Sequence, residues 1–200
     1  MTVFSSGAEA VLSKTNVFGR SALEKRRVPK GYRHPNLDSL VRFNRMRREL
    51  SLLFAAKQAG VSCPFVLDVN VNDCAFSMAF IAGPTAKQAL SKKNLWVCDQ
   101  LGEMVAKLHS KDIIHGDLTT SNVLIAGKQL VLIDFGMGFF SKKKEDRAVD
   151  LLNLKKMFHA THSDISQGWD RIVKNYVKRN PTGHEVIETI TEIEKRTRYS

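Results

Sequence analysis

The chain has 200 residues, 43% of them hydrophobic, and its 31 Lys+Arg against 20 Asp+Glu give a formal net charge of +11. That size supports one large domain or two small lobes with a packed core. Three cysteines (Cys63, Cys74, Cys98), an odd number without CxxC spacing, argue against a disulfide framework or zinc site, and no long apolar run could span a bilayer.

The N-terminus lacks a basic-then-apolar export pattern, so an intracellular, soluble protein is expected. The positive charge, dense at Arg45-Met46-Arg47-Arg48 and Lys142-Lys143-Lys144, points to an acidic partner. Nucleic acid comes first, ahead of an acidic protein face or an anionic membrane. A charge run of this kind also serves as a plain solvated face.

Val3 to Val17 alternates loosely around Gly7-Ala8-Glu9-Ala10, the pattern of a hairpin with a small-residue turn. Neither GxGxxG nor a Walker loop is present. Ala22 to Lys25 reads as the end of a strand. A helix follows over Leu37 to Lys57, with Leu37, Leu40, Phe43, Met46, Leu50, Leu53 and Phe54 forming one apolar face. Glu49 lies on that packed side, where a carboxylate needs a partner. Lys25 is the natural candidate; Arg47 and Arg48 compete, but sit too close along the helix to face it well. Val66 to Val71 alternates, Asn72-Asp73 turns, Cys74 to Ile81 returns, and Gly83-Pro84 breaks the run. Val97, Leu101, Met104, Val105 and Leu108 then mark a buried helix.

That helix feeds Ile113 to Gly136, IIHGDLTTSNVLIAGKQLVLIDFG. It reads as a strand end, a polar loop, a strand over Val123 to Ile125, a turn at Gly127 and a strand over Leu130 to Ile133. Two apolar strands thereby hold Asp117, Asn122 and Asp134 near one another. Converging acceptor oxygens suit a hard divalent cation, leaving Asp117 to work on a hydroxyl or water. Asp-Gly or Ser-Asn alone is ordinary turn chemistry. The joint spacing is specific: His-x-Asp, Asn five residues after the Asp, then Asp-Phe-Gly at the hairpin end match the catalytic and magnesium loops of protein-kinase-like enzymes. In such enzymes the turn at Gly7, Ala8 and Glu9 covers the nucleotide phosphates, the Lys25–Glu49 pair orients them, and Met78, Ala79, Phe80 and Ile81 offer backbone groups to adenine.

After Gly136 there is no Ala-Pro-Glu and no long activation segment. Helices are expected near Asp146 to His159, Ile165 to Val177 and Glu185 to Thr197, the last with a capping box at Thr182 and Glu185. A basic tail from Lys195 to Ser200 is expected to fray.

The runs PKGYRHP (Pro29 to Pro35), IHGDLTTSN (Ile114 to Asn122), LVLIDFG (Leu130 to Gly136) and EDRAVDL (Glu145 to Leu151) closely resemble the p53-related protein kinase family, the small atypical kinase subunit of the KEOPS (EKC) complex. The resemblance covers nearly the whole chain. It implies an α+β, minimal bilobal protein-kinase-like fold: a small β-rich N-lobe with one long helix over residues 1–82, and a helical C-lobe over 83–200. It also implies an atypical serine/threonine kinase acting mainly as an ATPase, with ATP and Mg2+ as cofactors, in the cytoplasm and nucleus. Its expected partners are the threonylcarbamoyltransferase subunit, the other KEOPS subunits and tRNA, with no membrane, in forming threonylcarbamoyladenosine in tRNAs reading ANN codons. Carried over by residue, Lys25 holds phosphates, Glu49 pairs with it, Asp117 is the catalytic acceptor, and Asn122 and Asp134 bind magnesium.

The chain departs from that pattern in places. Lys195, Arg196 and Arg198 form only a short basic tail, and Ala79, Phe80 and Ala82 stand where acidic hinge residues are usual. Gly116 and Thr119 replace the arginine and lysine of conventional kinases, which should weaken transfer to a protein hydroxyl and favour water. Two other readings stay open: a small-molecule phosphotransferase like the aminoglycoside and choline kinases, and a nucleotide-bound scaffold without turnover.

Overall fold

A computed structural model describes residues 2–7 and 9–198. The chain divides into two compact units, Met1–Phe54 with Pro64–Ile81 and Ala55–Cys63 with Ala82–Ser200. A single boundary at residue 82 therefore misses one piece: Ala55–Cys63, the end of the long helix and its loop, belongs to the second unit.

The first unit holds a five-stranded antiparallel sheet of β1 (Thr2–Ser6), β2 (Ala10–Val17), β3 (Arg20–Arg27), β4 (Val66–Asn70) and β5 (Ala75–Ala79), in the order β1-β2-β3-β5-β4. Lys25 lies within β3, opposite Leu12 on one side and Phe76 on the other, rather than at the strand's end.

Helix α1 runs from Pro35 to Gln58. Proline suits its first position because that N–H has no partner inside a helix, and Asp38 in the first turn complements the positive end of the dipole. Asp38 is buried and also orders the preceding PKGYRHP loop, accepting from Lys30 N–H (3.2 Å) and from Arg42 Nε (2.6 Å). The helix stops at Gly60, whose φ of 73° suits a residue lacking Cβ. Val61 N–H donates to Ala56 O and Gly60 N–H to Lys57 O, both at 3.0 Å, the paired bonds of a Schellman stop.

The buried stripe of α1 differs from the one expected. Met46, Glu49, Leu52, Leu53 and Ala56 are buried, whereas Leu37, Leu40 and Phe54 are exposed. Counting apolar residues at three- and four-residue steps put too many side chains inward and missed Leu52. Leu52→Ala is therefore expected to lose about 2–5 kcal/mol, and Leu37→Ala to stay within about 0.5 kcal/mol. Denaturant midpoints compare the two; equal losses would contradict this stripe.

The second unit contains α2 (Ala86–Ala89), α3 (Trp96–His109), β6 (Ile113–Ile114), a 3-10 turn (Thr120–Asn122), β7 (Val123–Ala126), β8 (Gln129–Leu132), β9 (Phe139–Phe140), α4 (Lys144–Thr161), α5 (Gly168–Arg179) and α6 (Gly183–Arg198). Its core joins Val97, Leu101, Val105 and Leu108 of α3 to Leu151, Leu154 and Phe158 of α4 and Ile172 and Tyr176 of α5. Helix α6 includes the tail as far as Arg198; Tyr199 and Ser200 lie outside the described residues. Thr182 uses its hydroxyl on Asn180 Oδ1 (3.1 Å) and Arg147 (3.3 Å). Burial pushes the Cys63 and Cys98 thiols up to about 11, so both pack as small apolar groups. Among the described residues, no helix is long and apolar enough to cross a membrane.

Candidate active site

In the first unit the candidate residues gather on the inner face of β3. Side chains two apart in a strand leave the same face, so Lys25 and Arg27 both reach Glu49 of α1. Lys25 Nζ lies 2.6 Å from Glu49 Oε1, and Arg27 donates from its NH2 to Oε2, also at 2.6 Å. All three are buried, at 8%, 3% and 2% exposure. The expected Lys25–Glu49 pair is present. The second cation is Arg27, which the sequence reading missed; Arg47 and Arg48 are exposed on α1. The K-x-R spacing in β3 was the available signal.

The turn between β1 and β2 is closed by Gly7 N–H donating to Ala10 O at 3.0 Å; Ala8 lies outside the described residues. The Glu9 carboxylate pairs with Arg45 of α1 and lies 3.7 Å from Arg27 NH1. The Arg45 hydrogen bond, opposed by partial burial and aided by the charges of Arg45, Arg27 and Arg33, holds the Glu9 carboxyl below its ordinary range.

The hinge expectation needs correction. Ala79 N–H donates to Phe65 O (2.8 Å) and Phe80 N–H to Ser21 O (3.1 Å), while Met78 lies in the ladder opposite Leu23. The Ala79 and Phe80 donors are thus committed to neighbouring chain and are not available to a ligand.

The second unit builds the catalytic loop from a two-stranded pair. Ile113 and Ile114 of β6 pair with Phe140 and Phe139 of β9, both isoleucines being buried. The loop that follows hangs on Asp150, a buried carboxylate in α4. Asp150 Oδ2 accepts from His115 N–H and Oδ1 from Gly116 N–H, each at 2.9 Å. Its Oδ2 also lies 3.2 Å from His109 Nε2, and His109 Nδ1 lies 2.9 Å from the Tyr176 hydroxyl. Asn180 Nδ2 donates to that hydroxyl (2.9 Å), which leaves its proton for Nδ1 and the His109 proton for Asp150. Burial alone would raise the Asp150 carboxyl, but the His109 hydrogen bond, the electrostatic pull of the two imidazoles and the His115 N–H together hold it below its ordinary value. Asp150 sits inside the EDRAVDL run, and a carboxylate one helical turn before Leu154 on the packed side of α4 was the signal.

His115 locks the loop to the next hairpin. Its Nδ1 accepts from Asp117 N–H (3.4 Å), so the ring proton is on Nε2 and donates to Ile133 O at 3.1 Å. The His115 ring also packs 4.9 Å from Phe135, the buried phenylalanine of Asp-Phe-Gly. Buried Thr120 contacts His162 Nε2 at 3.1 Å, and burial lowers the His162 pKa, favouring the neutral ring.

Asn122 Nδ2 donates to Asp117 O (2.8 Å) and to Asp117 Oδ2 (2.9 Å). The amide nitrogen is thereby fixed toward Asp117, which orients Oδ1 away as an oxygen ligand. Ile133 N–H donates to Asn122 O at 2.9 Å, so Asp134 follows directly on a residue bonded to Asn122. Asp134 has φ 60°, and its Oδ1 accepts from Gly136 N–H at 3.2 Å. This backbone is uncommon for a residue with a Cβ and is a form of strain found at functional turns. Asp117 and Asp134 are both exposed, with buried neighbours beneath them. Among the described residues no three His, Cys, Asp or Glu side chains form a metal site by themselves. One carboxylate and one amide oxygen nevertheless fit magnesium, which takes few protein ligands and completes its shell with phosphates and water.

Gly116 explains one departure from conventional kinases. Its φ is 79°, and a Cβ there would lie 2.4 Å from Met137 O. An arginine has no room at this position. Gly116→Ala is expected to shift the loop off Asp150 and lower turnover at least tenfold, with about 1–3 kcal/mol of destabilisation from backbone strain. Turnover and stability equal to those of the parent would show that the loop accommodates a Cβ.

The chain is similar to several known proteins. The chain is 38% identical over 194 residues to a probable bifunctional tRNA threonylcarbamoyladenosine biosynthesis protein of Methanococcus maripaludis (strain C7), covering 96% of this chain and 35% of that protein. It is 39% identical over 199 residues to a protein of the same description from Methanosarcina mazei, covering 99% and 36%. The chain thus spans about a third of the length of these curated relatives. Among solved structures, WaaP in complex with acyl carrier protein superposes with a TM-score of 0.66 at 15% identity, over 99% of this chain and 88% of that one. The Rio2 kinase-ADP/Mg2+-phosphoaspartate complex from Chaetomium thermophilum does so with a TM-score of 0.64 at 13% identity, over 100% and 72%. At these identities the likeness establishes the fold, a small sheet-bearing unit and a helical unit of the kinase-like type. The RIO domain pattern matches residues 14–168, and the chain belongs to the RIO domain family of atypical kinases.

Proposed function

We propose that the chain binds ATP with magnesium and works as an atypical kinase whose main reaction is ATP hydrolysis, in support of threonylcarbamoyladenosine formation on tRNAs reading ANN codons. The observation that carries the reading is the catalytic loop: Asp150 pins the His115 and Gly116 amides, and Asn122 holds Asp117 by its carboxylate. Such pre-orientation is what phosphoryl transfer needs, because its catalysis rests on positioning and electrostatics. Asn122 and Asp134 would hold the magnesium ion, and Lys25, steadied by Glu49, would engage the phosphates. The metal, when bound, neutralises charge on the phosphates. Asp117, exposed and fixed from behind, accepts the proton of the attacking hydroxyl or water.

Water is favoured as acceptor because Gly116 and Thr119 leave the loop without the basic groups of conventional kinases. The tRNA reading draws on the relatives' description and on the net charge of +11. Since those relatives are about three times as long, a threonylcarbamoyltransferase subunit and the other KEOPS subunits are the proposed partners. The test is single-turnover kinetics with radiolabelled ATP, with and without tRNA and partner subunits. Phosphate release stimulated by tRNA or partners is expected; faster label transfer to a protein side chain would overturn the ATPase reading.

A further inference from the structure

Arg27 and Glu9 have no part in the pairing that the kinase-like motif accounts for. In a single Lys–Glu pair the lysine serves two masters, the glutamate and the phosphates, and helix α1 is held only as long as the lysine stays. Here Glu49 is gripped at both oxygens, Oε1 by Lys25 and Oε2 by Arg27, each at 2.6 Å. Among the described residues Arg27 also reaches Glu9, at 3.7 Å, on the turn between β1 and β2. Glu9 is bound in turn by Arg45, one helical turn before Glu49 on α1.

A second observation marks this arrangement as more than packing. The Arg27 side chain is 3% exposed, and its Nε is buried without a hydrogen-bond partner among the described residues. An unsatisfied buried donor is unfavourable and uncommon. The guanidinium is placed for what its two terminal nitrogens reach, Glu49 and Glu9, at the expense of its third.

We propose that Arg27 is a positioning residue that holds Glu49 independently of Lys25 and, through Glu9 and Arg45, latches the β1–β2 turn to helix α1. This deepens the ATP reading above and rests on it. Two consequences follow. Lys25 can turn to the phosphates without releasing α1, because Arg27 keeps half of the Glu49 carboxylate satisfied. The turn and the helix also move together, so a chain without a glycine-rich loop still presents an ordered cover to the nucleotide. Without Arg27, Glu49 Oε2 loses its guanidinium partner and the carboxylate is held by Lys25 at Oε1.

The test compares Arg27→Lys, Arg27→Met and Glu9→Gln with the parent chain. For Glu9→Gln, the ATP KM is expected to rise about three- to tenfold with a smaller change in kcat. Arg27→Met is expected to raise it further, and Arg27→Lys, which keeps the charge and loses the fork, to fall between. Amide exchange without nucleotide is read in parallel. Faster exchange at Gly7 and Ala10 is expected in Glu9→Gln and Arg27→Met, with the rest of the sheet unchanged. Unchanged exchange at the turn overturns the latch whether or not the chain binds ATP. Faster exchange together with an unchanged ATP KM overturns the positioning role. A parent chain that binds no ADP with magnesium would instead refute the ATP reading, and the exchange measurement would still decide the latch.

Discussion

Asp150→Ala is expected to cost about 3–5 kcal/mol, the usual loss when one side of a buried, hydrogen-bonded charge network is removed. The substitution strips acceptors from the His115 and Gly116 amides and from His109 together. Asp150→Asn should be milder, because its one remaining oxygen can serve one amide while its NH2 faces the other. Urea midpoints give the stabilities, and amide exchange at His115 and Gly116 reports whether the loop has come loose. The network also sets a pH dependence. The Asp150 carboxyl titrates in the folded protein below its ordinary value of 3.8. Above pH 3.8 both folded and unfolded chains carry the carboxylate, and its full stabilisation is present. As pH falls through 3.8 the unfolded chain takes up the proton first, and stability declines until the folded group is protonated as well. Asp150→Asn should flatten this acid limb below about pH 4. An acid limb as steep as the parent's would mean that other carboxylates carry it.

What was legible in the sequence divides along physical lines. The catalytic loop could be read because its chemistry is local: Asp117 and Asn122 are five residues apart, and Ile133 bonds Asn122 across one hairpin. The Lys25–Glu49 pair could be read because a charge on a helix's packed side needs a named partner. Asp150 and Arg27 were missed for the opposite reason. Asp150 acts on backbone amides 34 and 35 residues away, and main-chain donors leave no trace in residue identity. Arg27 needed the strand period applied to charges and not only to apolar residues. The outer face of α1 was misjudged because Leu37, Leu40 and Phe54 satisfy the helical period yet remain exposed. Periodicity finds a face without saying how wide the covering sheet is. The committed Ala79 and Phe80 amides depend on partners in β3 and before β4, which no local pattern announces.

Asp117→Asn is the sharpest test of the chemistry. Asparagine has nearly the same shape, and its carbonyl oxygen can still accept from Asn122 Nδ2, so the loop should keep its form. Asp117 is exposed, and stability should stay within about 0.5 kcal/mol of the parent. What is lost is the ability to take a proton. Removing a positioned general base lowers rates by roughly 10²–10⁴, and ATP turnover should fall by that amount while the ADP dissociation constant moves less than about threefold. Asn122→Ala makes the contrasting case. It removes both the proposed magnesium oxygen and the bond that orients Asp117, so nucleotide affinity and turnover should fall together, and added magnesium should recover part of the affinity. If Asp117→Asn turns over ATP within tenfold of the parent, the group is only a loop residue and the acceptor must be activated elsewhere. If it stops turnover but tRNA modification by the proposed complex continues, nucleotide binding rather than hydrolysis is what that complex would use. The kinase-like unit would then serve as an ATP-dependent scaffold.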